Sequence, residues 1–79
     1  MARKPRSSQP DFIVAVGRRF QALRKAADLT QEELAARMGA DKTTVSRFET
    51  GGAVLSMRRL FDAARAMQVA PAEFFAGDA

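Results

Sequence analysis

The feature that most restricts this chain is TQEELAARMGADKTTVSRFETG, Thr30 to Gly51, where two short helical patterns are joined by a three-residue turn. Thr30 and Glu33 stand at capping-box spacing, so the threonine hydroxyl can accept from the Glu33 amide while the Glu33 carboxylate reaches back. A helix is expected to begin there, carry Leu34 and Met38 on one face, and meet Gly39, which can take a positive φ without a Cβ clash. The turn is Gly39-Ala40-Asp41. Asp41 is a good N-cap for a second helix from Lys42 to about Thr50, and its charge suits the positive end of that helix. Gly51 then ends it.

At about 100° per residue, Val45 and Phe48 share one side of the second helix with Glu49 beside them. Thr43, Ser46, Arg47 and Thr50 fall on the opposite, wholly polar side. Two helices joined so tightly must cross steeply, and Ala35 provides the small residue for their closest approach. This is the logic of a helix-turn-helix, whose second helix enters the DNA major groove.

Gln31, Leu34, Ala35, Gly39, Val45, Phe48 and Glu49 resemble the helix-turn-helix of the phage-repressor and Cro-like (XRE-type) family. The resemblance extends upstream through VGRRFQALRKAADLTQEELA and downstream through LSMRRLFDAARAMQVAPAEFF, covering nearly all of the chain beyond residue 11. It implies an all-α, five-helix DNA-binding domain at residues 11–79. Three positions depart from the family pattern: Gln68 and Ala70 stand where a glycine and a serine-like cap are usual, and Leu55 where a proline is common. These departures bear on the ends of the last two helices rather than on the fold.

The 79 residues allow one domain with one small core. Cysteine and histidine are both absent, which excludes disulfides, thiolate or imidazole metal sites and histidine-based catalysis. No metal, cofactor or enzymatic activity is expected. No apolar run approaches the roughly 20 residues of a membrane span, and the basic N-terminus has no apolar segment behind it. The expectation is a cytoplasmic protein without a membrane partner. Of the formal net charge of +4, Arg3, Lys4 and Arg6 supply the larger part. Residues 1–10, MARKPRSSQP, hold too little apolar surface to offset ordering entropy and read as a disordered basic arm.

Asp11 is a plausible N-cap for a first helix with Phe12, Val16, Phe20, Leu23 and Ala27 in one stripe. Gly17 within it costs about 1 kcal/mol relative to alanine, which points to a close helix contact. Leu29 is placed as the outer half of a hydrophobic staple. After Gly51 the loop GGAVL has two glycines able to present backbone N–H groups to a phosphate, while Val54 and Leu55 either tuck into the core or meet a partner subunit. Ser56 caps a fourth helix, Met57 to about Gln68, with Leu60, Ala64 and Met67 inward and Phe61 on the flank. Pro71 opens a short last helix to about Ala76. Its adjacent Phe74 and Phe75 point about 100° apart, so one of them is free to face a partner.

Carried over residue by residue, the resemblance implies base contacts from Lys42, Thr43, Ser46 and Arg47, which suit guanine edges and thymine methyls. It places Gln31 at a phosphate beside a helix N-terminus, with Thr50, Gly51, Gly52, Arg58 and Arg59 as the second phosphate clamp. Arg24 and Glu49 are implied to form an ion pair that fixes the recognition helix and holds Arg24 ready for a phosphate. Val54, Leu55, Phe74 and Phe75 are the candidate dimer contact. The expected function is sequence-specific binding of double-stranded DNA by a homodimeric transcriptional regulator, a repressor at a palindromic operator. The alternatives are the DNA-binding antitoxin of a toxin–antitoxin pair, with a toxin as partner, and a protein–protein adaptor built on the same scaffold. An arm that wraps DNA and a merely solubilising terminus remain equally open for residues 1–10.

Overall fold

The computed structural model describes residues 11–76, so the reading of the N-terminal arm lies outside the described residues. Those residues form α1 (Asp11–Ala26), α2 (Gln31–Met38), α3 (Lys42–Glu49), α4 (Met57–Met67) and a terminal 3-10 helix (Pro71–Phe75). The expected fifth helix is therefore a tighter 3-10 turn, and the description that holds is four α-helices and this turn, with no strand among the described residues.

Local chemistry sets most boundaries. Thr30 Oγ1 accepts from the Glu33 amide at 3.0 Å and Glu33 Oε1 accepts from the Thr30 amide at 2.8 Å, completing the capping box of α2. Gly39 closes that helix in the left-handed region at φ 73°. Asp41 Oδ1 accepts from both the amide and the hydroxyl of Thr44 at 2.9 Å, so α3 starts at Lys42. Both carboxyls are held below their usual range by these bonds, from Thr30 to Glu33 and from Thr44 to Asp41. Their caps accordingly support the fold above the ordinary carboxylate range and fade as pH falls through the lowered values. Ser56 Oγ, accepting from the Arg59 amide at 3.2 Å, caps α4.

The core is centred on Phe20 of α1. Its ring meets Phe48 of α3 edge-on at 4.8 Å and Phe74 of the terminal turn at 5.3 Å, so one side chain joins three elements. Leu29, Leu34, Ala35, Met38, Val45, Leu60, Ala63, Ala64 and Met67 complete the buried cluster. Arg19 latches the terminal turn onto α1, donating from Nη2 to Glu73 Oε1 at 2.8 Å and from Nε to the Glu73 carbonyl at 3.0 Å.

Two apolar residues sit differently from the sequence reading. Phe12, at the N-terminal end of the α1 stripe, is 67% exposed. Phe74 is 1% exposed against Phe20, which removes it from any dimer contact, whereas Phe75 is 61% exposed.

Gln68 closes α4 at φ 61° and ψ 43°, the left-handed conformation a glycine takes freely. A Cβ there costs roughly 1–2 kcal/mol, partly offset by the extra chain entropy glycine loses on folding. Gln68→Gly is expected to stabilise the domain by about 0.5–1 kcal/mol, read as a higher urea midpoint with an unchanged m-value. Ala70, at the N-cap of the terminal turn, makes no side-chain capping bond.

Candidate nucleic-acid interface

Helix α3 is divided lengthwise. Val45, Phe48 and Glu49 are buried, while Lys42, Thr43 and Arg47 are exposed and Ser46 is half-buried at the boundary. With Asp41 fixing its first turn and Phe48 its last, α3 presents one short cationic and hydroxyl-bearing face to solvent.

The anchor behind that face is Glu49, 3% exposed. Arg24 of α1, 7% exposed, donates from Nε to Glu49 Oε2 at 2.6 Å and from Nη2 to Glu49 Oε1 at 3.0 Å. Its Nη1 donates to the Leu29 carbonyl at 2.8 Å. This fork-to-carboxylate geometry is the strong, orientation-fixing kind. It also turns much of the Arg24 guanidinium inward, with Nε, Nη1 and Nη2 each donating to Glu49 or to the Leu29 carbonyl.

Glu49 Oε1 collects two further donors: Gln31 Nε2 of α2 at 2.9 Å and Gln21 Nε2 of α1 at 3.3 Å. A carboxylate accepts and never donates, so it dictates which end of each amide faces it. Gln31 thereby keeps its place at the start of α2 with one amide hydrogen committed to Glu49. Gln21 was missed from sequence, where a polar residue on the flank of a helix reads as solvated; its spacing of three from Arg24 was the available signal.

Around the loop after α3, the glycines do not act as foreseen. The Gly51 amide donates to the Phe48 carbonyl at 3.1 Å and the Gly52 amide to the Arg47 carbonyl at 2.8 Å, so these groups finish α3 instead of standing bare for a phosphate. Gly51 is there for geometry: its φ is 82°, and a Cβ would lie 2.9 Å from Val14 Cγ2. The Thr50 hydroxyl turns back to the Ser46 and Arg47 carbonyls at 3.1 and 3.2 Å.

The neighbouring arginines of α4 part company. Arg58 is exposed, with only a loose 3.9 Å ion pair to Asp62. Arg59 donates from Nη1 to the Gly39 carbonyl at 3.0 Å and so faces the turn between α2 and α3.

A further surface involves Phe48 of α3 and residues of α1, α4 and the terminal turn. Phe12, Val54, Leu55, Met57 and Phe75 border an open apolar groove of about 740 Å³. Val54 is 55% exposed, while Leu55 packs partly against the core. No described helix is long and apolar enough to cross a membrane.

Two short helices, a capped three-residue turn and a polar outer face on the second helix define a helix-turn-helix protein of the repressor type. A family profile described as helix-turn-helix matches residues 20–74, and the chain belongs to that family of DNA-binding transcriptional regulators. It is 38% identical over 63 residues, 80% of its own length, to a protein of Rhodospirillum rubrum called an uncharacterized transcriptional regulator in the ATPase CF(0) region. The match spans 57% of that relative's length. Among solved structures, the restriction-modification controller protein C.AhdI from Aeromonas hydrophila is 33% identical, with a TM-score of 0.80 over 84% of this chain and 100% of its own. The P22 c2 repressor, crystallised with a synthetic operator, is 25% identical, with a TM-score of 0.72 over 80% of this chain and 96% of its own.

Proposed function

We propose that this protein represses transcription by binding a palindromic operator as a homodimer, with α3 of each subunit in the major groove. The observation that carries the reading is the divided α3, whose Lys42, Thr43 and Arg47 stand exposed on a helix anchored from behind by Val45, Phe48 and Glu49. Lys42, Thr43, Ser46 and Arg47 read base edges. Gln31 and Arg58 take phosphates, with Thr50 able to join by rotating its hydroxyl. Gly51 serves the loop's shape instead, and the amides of Gly51 and Gly52 are already used. The apolar groove bordered by Val54, Leu55 and Phe75 supports an isologous contact with a second copy.

Selection of bound fragments from random duplex DNA tests this. The expected product is an inverted repeat with half-site centres roughly 34 Å apart; failure to enrich any sequence at low salt favours an adaptor role instead. On the selected site, Arg47→Ala is expected to cost about 1–3 kcal/mol, and much less on sites altered at one base pair per half-site. Equal weakening on every site would make Arg47 a phosphate ligand.

A further inference from the structure

The orientation of α3 depends on three residues, Gly39, Ala40 and Asp41, and most of their polar groups are used locally. The Gly39 amide donates to the Ala36 carbonyl at 3.3 Å and the Ala40 amide to the Ala35 carbonyl at 2.9 Å, both back into α2. The Asp41 carboxylate turns forward into α3, onto Thr44. The Gly39 carbonyl instead receives a side chain from another element, Arg59 Nη1 of α4, at 3.0 Å and twenty residues downstream.

We infer that Arg59 is a positioning residue, gripping the turn from α4 so that α3 is held at a fixed angle for base reading. The inference rests on the DNA-binding reading above. Three features carry it. A cation at the C-terminal end of α2 meets the negative end of that helix. The base of Arg59 is itself fixed, because its amide donates to Ser56 Oγ and its neighbour Leu60 is buried in the same core cluster as Leu34, Ala35 and Met38 of α2. Its charge also bears on Asp41, adding to the two Thr44 hydrogen bonds that hold that carboxyl low. One guanidinium thus bonds the first residue of the turn and adds a weaker electrostatic pull at the last. Arg58, one residue earlier, points to solvent, and the pair forms a natural control.

The consequence differs from that of a phosphate contact. Non-specific binding depends on charge and tolerates a tilted helix, whereas base reading does not. Arg59→Ala should therefore weaken the selected site by up to roughly tenfold, the scale of one lost hydrogen bond, with a scrambled duplex affected less than about twofold. The slope of log K against log salt should stay unchanged. Arg58→Ala should weaken both duplexes alike and lower the slope by about one per subunit. In the free protein, amide exchange at Thr44 should quicken in Arg59→Ala while exchange at Phe20, inside α1, stays the same. A slope lowered by about one in Arg59→Ala would assign this side chain to a phosphate, and unchanged Thr44 exchange would remove it from the turn; either result overturns the inference. If the wild-type protein binds neither duplex, the DNA-binding reading falls and with it the purpose given to Arg59, while Thr44 exchange still decides whether it holds the turn.

Discussion

Glu49→Ala is expected to lower folding stability by about 3–5 kcal/mol, the range seen when one member of a buried ion pair is removed and the other is left stranded. Arg24 would keep the Leu29 carbonyl but lose both bonds to the carboxylate, and Gln21 and Gln31 would lose their common acceptor. Glu49→Gln should cost less, since an amide oxygen can still accept from Arg24. Urea denaturation of the three proteins measures the difference directly, given that a domain of this size is expected to unfold in one step. A loss below about 1 kcal/mol in Glu49→Ala would mean that the pair behaves like a solvent-screened surface bridge. On the proposed reading, DNA affinity should fall as well, because α3 and the amide of Gln31 are oriented through the same carboxylate.

Gly17→Ala should also destabilise the domain, and its sign runs against helix propensity. In an open helix alanine would gain about 1 kcal/mol over glycine. Here a Cβ at position 17 would collide with the Phe48 carbonyl oxygen and lie 3.3 Å from that of Glu49, both backbone atoms at the end of α3. Neither can rotate aside as a side-chain tip could, so α1 and α3 must separate. Overpacking of this kind costs about 1–3 kcal/mol and sometimes more. A thermal melt in which Gly17→Ala is as stable as wild type would show that the two helices can part at no cost. Glu49 and Gly17 thus test the same junction by opposite means, one by emptying it and the other by filling it.

How far the sequence disclosed this arrangement follows from the range of the interactions involved. The caps at Thr30, Asp41 and Ser56 were legible because each is a bond between residues three apart, and Gly39 because one residue type suits its backbone. Gly17 was legible as an anomaly, a costly residue inside a helix that needed a reason. Helical angle likewise separated Val45 and Phe48 from Thr43 and Arg47. What local patterning does not contain is where a neighbouring element stops. Phe12 keeps the phase of the α1 stripe yet stays exposed among the described residues, and Phe74 and Phe75 were indistinguishable until Phe20 supplied a partner for one of them. The same holds for polar groups: Arg59 meets Gly39 across twenty positions, and Gln21 meets Glu49 across twenty-eight. The loop glycines looked like exposed donors although Gly51 was also read as the end of α3; in the fold both amides turn back to close that helix.

The lengthwise division of α3 has an evolutionary consequence. Residues 45, 48 and 49 carry the attachment of the helix to the domain, and residues 42, 43 and 47 carry almost none of it, although all six lie within eight consecutive positions. Mutation can therefore rewrite the exposed positions nearly independently of foldability. On the proposed reading, a duplicated copy of the gene could drift toward a new target sequence in single steps, each passing through a folded protein, because the positions proposed to read bases are not those that threaten stability.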